Sequence, residues 1–324
     1  MSSTKKYYPE IDISRGIGII LVVLGHALKQ TGVMNPVFEA MLSVIYSFHM
    51  PLFFVLSGFV AVKILKFTSI SERLAYIRDK AARLLVPYFA VGLFYMPVKY
   101  VLSSFAVRPY DFSNAWKILI GENPNTVLWF LYTLFWVSVI CVIILNNKNF
   151  NMVLGISFVV SVVSYILDSP VETTKYLFFF MAGMYIRLNY EKAVQMLKEK
   201  KIWIVVLLFV ITNVLLYQSQ MFGWTFLTAV TGSICTLALS LRIAAKKSRI
   251  GDVTEVCGKY SMDIYILSDF IAIAFRILLW GILEMNYIVC TVICFAVGIF
   301  LPIPISKYII RRVKIFRKLI LGMK

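Results

Sequence analysis

The sequence predicts an all-α integral membrane fold, a bundle of about ten transmembrane helices with both termini cytoplasmic. It reads as a single domain over residues 1–324, ending in a basic tail at 309–324. Three observations lead there. The chain is 60% hydrophobic and only 15% charged, with a mean hydropathy of +0.83, values that suit a lipid rather than an aqueous surrounding. Apolar stretches near the ~20 residues needed to cross a bilayer recur along its whole length. The basic residues fall on alternate connections between those stretches, as orientation signals do.

The stretches lie at about 11–30, 38–62, 84–104, 126–146, 151–167, 173–190, 202–218, 223–243, 261–281 and 286–308. The first, IDISRGIGIILVVLGHALK, follows two lysines but precedes no small-residue cleavage site, so it reads as a retained span. The second contains Pro51, whose ring removes one helical hydrogen bond and predicts a kink. The third opens at RLLVPYF and the fourth at LWFLYTLFW, where tryptophan and tyrosine fit a membrane interface. The fifth, seventeen residues at 151–167, is the shortest. The ninth carries Asp263, Asp269 and Arg276, and the tenth leads into RRVKIFRKLILGMK, whose alternating bases and apolar residues suit the anionic face of a membrane. Between the third and fourth spans, residues 105–125 hold Pro109, Asp111, Asn114, Gly121, Glu122 and Pro124. This reads as a loop with a short surface helix around AWKIL.

With ten spans, 26 of the 33 lysines and arginines fall on the side of the termini and four on the other, the remaining three lying within spans. The net charge of +17 therefore signals orientation and membrane lipids; the basic clusters lack the interleaved aromatics of a nucleic-acid surface. The five cysteines show no CxxC spacing, so neither a disulfide framework nor a metal site is expected. The Gly and Pro interruptions of the first half are not repeated in the second, unlike the inverted repeats of transporters.

The chemistry concentrates on the first two spans. Arg15 and His26 are eleven residues apart, three helical turns plus about 20°, so they share a face with a rise of roughly 16 Å between them. Charged and titratable groups on a spanning helix face a cavity rather than lipid. Asp12 stands one turn before Arg15 and is placed to orient it. His49 precedes Pro51, with Ser57 and Gly58 two turns later. Alone this is a kink with a small-residue packing notch; beside His26 it predicts a shared cavity. Arg83 is the base nearest the membrane at the third span, whereas Arg73, Arg78 and Lys80 read as orientation signals. Trp129 and Tyr132 offer faces for a sugar ring, and Trp136 belongs to an interfacial belt. Asp269 lies seven residues before Arg276, which predicts an internal ion pair first and a substrate-facing role second.

IDISRGIGIILVVLGH resembles the first-helix signature of the acyltransferase 3 family of membrane acyltransferases. FHMPLFFVLSGF, RLLVPYF, LWFLYTLF and FFFMAGM are similar to that family's later blocks, in the same order. The likeness is greatest to O-acetylases acting on fucose and other surface sugars. It implies a ten-helix bundle using cytoplasmic acetyl-CoA, with no metal, to modify a hydroxyl of a glycan or a lipid-linked sugar. His26 matches the family's essential histidine and Arg15 its donor-side base. Relatives carry a histidine after the IYIL-type run of the ninth span; here Ser268 and Asp269 stand there. The expectation is an O-acetyltransferase of a bacterial inner membrane. His26 and His49 are its catalytic residues, Arg15, Arg83 and Asp12 hold the donor, and Ser57, Trp129, Tyr132 and Asp269 contact the acceptor. The rival is a non-enzymatic transporter or glycan-binding subunit, in which Arg15 and His26 line a permeation path.

Overall fold

Each apolar stretch has become a helix in the computed structural model, which describes residues 6–30, 32–101, 112–198, 202–219, 222–246 and 248–323. The first six helices are α1 (Pro9–Gln30), α2 (Pro36–Ala61), α3 (Ile70–Val101), α4 (Trp129–Ile144), α5 (Phe150–Ile166) and α6 (Glu172–Leu188). A short α7 (Tyr190–Lys198) precedes α8 (Ile202–Ser219) and α9 (Phe222–Lys246). The chain continues through α10 (Arg249–Lys259), α11 (Ser261–Arg276), α12 (Tyr287–Phe300), α13 (Pro302–Ile305) and α14 (Lys314–Leu321). Among the described residues seven helices are long and apolar enough to cross a membrane, or eight when α7 and α8 count as one span. The two other stretches, α5 and α6, have 17 residues each, the lower end of spanning length.

The structure departs from the expected boundaries where hydropathy and helicity part company. The third helix starts at Ile70 rather than near 84, because ISERLAYIRDKAAR is charged but free of glycine and proline and so propagates the helix out of the apolar zone. The basic connection after α9 folds into α10, with the Ser248 hydroxyl accepting from the Gly251 amide at 3.2 Å as its N-cap. The expected surface helix around AWKIL is a 3₁₀ helix over Phe112–Ile120; Pro109 and Asp111 lie outside the described residues.

α1 sits at the centre, against α2, α9, α10, α11 and α12. Lipid gives apolar helices little reason to associate, so close approach needs small residues where they cross. Two such crossings organise the bundle. A Cβ added at Gly58 on α2 would collide with the Phe180 carbonyl of α6, and one at Gly183 on α6 with the Val55 carbonyl of α2. The SGF and MAG segments are thus the two halves of one crossing. In the same way Gly16 faces the Thr254 carbonyl and Gly258 the Asp12 carbonyl, pressing α10 onto the first turns of α1. Gly58→Ala is expected to destabilise the protein by about 1–3 kcal/mol, because the opposing atom is backbone and cannot turn aside. Thermal unfolding in detergent checks this; an unchanged midpoint would show that the helices separate freely.

Two arginines tie down the remaining elements. Arg73 donates to the carbonyls of Val142 and, at 3.2 Å, Leu145, satisfying the C-terminus of α4 and fixing the extension of α3. It is a helix cap rather than an orientation signal alone. Arg311 grips the buried Asp263 of α11 in bidentate fashion, at 3.0 and 2.8 Å, and Ser306 donates to the same carboxylate. The end of the chain is thereby fastened to α11 and turned towards α3, on which α14 packs.

Candidate active site

Pressing α10 onto α1 gathers cations in one place. A cavity of about 510 Å³ opens between α1, α2, α3, α4 and the α10–α11 corner. Arg15, Lys80, Arg83 and Lys259 line it, with Asp12 as its acid. Arg15 Nη1 donates to Asp12 Oδ1 at 2.8 Å across one turn, so the carboxylate aims the guanidinium while screening part of its charge. The Tyr7 hydroxyl reaches both Asp12, at 3.0 Å, and Glu255, at 2.7 Å. Burial, and then these two carboxylates, push its pKa up to about 12. Lys259 donates to Glu255 at 2.6 Å and holds that carboxyl below its ordinary range, with Tyr7 assisting. The rim thus holds the Arg15 guanidinium against Asp12 and the Lys259 ammonium against Glu255.

A second cavity, about 400 Å³, adjoins the first further along α1. Val22, Met50 and Tyr265 line both and form their common wall. The second space is imidazole and aromatic: His26 from α1, Tyr46 and His49 from α2, Trp129 from α4 and Tyr176 from α6. His49 Nδ1 lies 2.7 Å from the Ile45 carbonyl. A carbonyl only accepts, so Nδ1 carries the hydrogen and Nε2 is left with its lone pair. His26 has Asp269 as its electrostatic partner, and Asp269 also interacts with Tyr95, Lys99 and Arg276. Tyr176 stacks on Phe54 with centroids 4.4 Å apart, and its ring lies 5.6 Å from that of Trp129. Tyr265 donates to the Val127 carbonyl, which fixes the shared wall. Lys29 caps the Tyr46 ring at 4.3 Å.

Most of the residues expected from the sequence meet here. Arg15, Asp12 and Arg83 share the basic cavity, and His26, His49 and Trp129 share the imidazole cavity. Three expectations change. Ser57 lines the basic cavity, because Gly58 beside it is committed to the α6 crossing and turns Ser57 towards α1. Tyr132 lines neither cavity; its hydroxyl donates to the Leu119 carbonyl at 3.1 Å and its ring packs beneath Gly121 and beside Tyr88. Asp269 lines neither cavity; it lies within electrostatic reach of His26, with Arg276 as one of several charges around it. Lys80 moves the other way, from an orientation signal to a wall of the basic cavity. Its spacing of three from Arg83 puts both on one helical face, a sign already visible in KAAR. Lys259, Tyr46 and Tyr176 carry no local sign, because tertiary packing alone brings them in. No group of three metal-ligating side chains occurs among the described residues.

A sequence profile described as an acyltransferase domain matches residues 8–307, nearly the whole chain and both cavities. The chain belongs to the acyltransferase 3 family. It is also 41% identical over 83 residues to the nodulation protein NolL of Sinorhizobium fredii, a match covering 24% of this chain and 21% of that relative. The alignment thus spans about a fifth of the relative's length. No solved structure matches. Family membership, with seven or eight helices among the described residues long and apolar enough to cross a membrane, supports a multi-pass membrane protein.

Proposed function

We propose that this acyltransferase 3 protein moves an acetyl group from cytoplasmic acetyl-CoA to a hydroxyl of a cell-surface polysaccharide or its lipid-linked precursor, in a bacterial inner membrane. The observation that carries this reading is the common wall of Val22, Met50 and Tyr265, where a basic cavity meets an imidazole cavity along one helix. A donor with a charged nucleotide end and a thioester at the far end of a long arm fits that arrangement. The likeness to sugar O-acetylases and the paired aromatic rings support a sugar as acceptor.

The donor supplies an activated acyl thioester; the chain supplies position and proton transfer. Arg15, aimed by Asp12, and Arg83, Lys80 and Lys259 hold phosphate oxygens, for which guanidinium geometry is well matched. Roughly 16 Å further along α1, His26 takes the proton of the attacking hydroxyl. Asp269 stabilises the imidazolium that results, as a carboxylate behind a general base does. His49 accepts through Nε2 and orients the acceptor, while Trp129 and Tyr176 offer ring faces to it. The decisive experiment supplies purified protein with acetyl-CoA and membrane glycan, and follows free CoA and glycan acetylation together. CoA released without glycan dependence, or no release at all, overturns the reading.

Two further outcomes follow. His49→Ala is expected to lower turnover by about tenfold, less than His26→Ala, because His49 orients rather than carries the proton; a larger loss at His49 would move the base to α2. For orientation, Asn114→Cys should react with an impermeant thiol reagent added to intact cells, and Thr68→Cys should not. The native cysteines are buried or half-buried, so the added thiol dominates the signal. The reverse pattern would invert the proposed topology.

A further inference from the structure

Where the basic cavity reaches the extension of α3, it runs into another space of about 560 Å³ that shares Val60, Lys80 and Arg83 with it. This mouth is walled by Lys63 from the 3₁₀ turn after α2, by Tyr76 and Asp79 from α3, and by Met323. The Lys63 ammonium lies 5.1 Å from the centroid of the Tyr76 ring and the Lys80 ammonium 5.6 Å from the same ring. Two cations are therefore held at one buried aromatic, and Lys80 in addition feels Lys63, Arg83 and Arg15. Like charges gathered this closely repel, and Asp79 is the acid on this wall. Arg15 and Lys259 already stand ready for one anionic group deep in the basic cavity. Lys63 is set apart from them, with Lys80 and Arg83 between. The ligand that suits such a row carries two separated anionic groups.

Resting on the donor reading above, we infer that the mouth binds the nucleoside end of the donor, and that Lys63 reads a phosphomonoester on its ribose. The basic cavity then takes the diphosphate and Lys80 spans the two. Lys63 becomes a specificity-determining residue, separating a donor with the ribose phosphate from the same donor without it.

Calorimetric titration of the full chain in phosphatidylcholine nanodiscs tests this, with CoA and 3′-dephospho-CoA as probes, so that no acceptor is needed. Wild type is expected to bind CoA about tenfold more tightly, the range of one partly exposed charge-assisted hydrogen bond. Lys63→Gln should bring the two within about twofold by weakening CoA alone, and Lys63→Arg should restore the difference. Equal binding of both probes by wild type overturns the inference and leaves the donor reading standing. A difference that persists in Lys63→Gln assigns the phosphate to another residue and also overturns it. Loss of the difference in phosphatidylglycerol discs would give Lys63 to a lipid headgroup instead. If wild type binds neither probe, the donor reading fails and this inference with it.

Discussion

His26→Ala is expected to lower kcat by about 10²- to 10⁴-fold, the usual contribution of a positioned general base, with donor affinity nearly unchanged. The separation follows from the geometry. His26 lines only the imidazole cavity, and the cations lie beyond Val22, Met50 and Tyr265. His26 also differs from His49 in its surroundings: the charge of Asp269 reaches His26, whereas His49 is hydrogen-bonded to the Ile45 carbonyl. A carboxylate stabilises a developing imidazolium; a carbonyl mainly sets the tautomer. Asp269→Asn should therefore reproduce part of the His26→Ala effect in kcat with little change in KM for donor. Turnover and calorimetric donor affinity, measured on variants with equal membrane insertion, decide the matter. Full turnover in His26→Ala would remove the base from α1.

Much of this arrangement is legible in the sequence because the first helix carries its chemistry in its own spacing. Arg15 and His26 share a face by helical periodicity alone, and no partner helix is needed to see it. The notch at Ser57–Gly58 is equally local. The meaning of the notch is not. Gly58 is small because the Phe180 carbonyl arrives opposite it, a fact written on a segment more than a hundred residues away. The same separation hides Tyr176 and Lys259, which enter the cavities only after α6 crosses α2 and α10 settles on α1. Tyr132 misleads for the converse reason. An aromatic near a membrane interface has the same sequence signature whether it faces a sugar or supports a loop, and the Leu119 carbonyl claims its hydroxyl.

Helix boundaries shift where charge does not end a helix. Residues 70–83 are too polar to lie in hydrocarbon yet make a good helix, so α3 continues and carries Lys80 and Arg83 to the mouth of the basic cavity. Asp269 illustrates a further limit. Its spacing to Arg276 is plain in the sequence, but His26 approaches from another helix, and sequence separation alone gives no rank between the two.

Arg15→Ala is expected to raise KM for acetyl-CoA by about 10- to 150-fold, the equivalent of removing one charge-assisted hydrogen bond, with a much smaller change in kcat. The phosphates it would hold do not change charge during acyl transfer, so Arg15 grips them alike in ground and transition states and its removal shows as weaker binding. Arg15→Lys should recover only part, since an ammonium cannot offer the planar fork that Asp12 now aims. Asp12→Asn provides the internal check. It leaves the guanidinium in place but removes the 2.8 Å ion pair that fixes it, so it should weaken donor binding less than Arg15→Ala does. Because Arg15 and His26 stand about three turns apart on α1, the double variant should show the two single effects added, within about 0.5 kcal/mol. Non-additivity well beyond that would mean that donor grip and proton transfer are coupled through the common wall. A KM unchanged by Arg15→Ala would take the donor out of the basic cavity altogether.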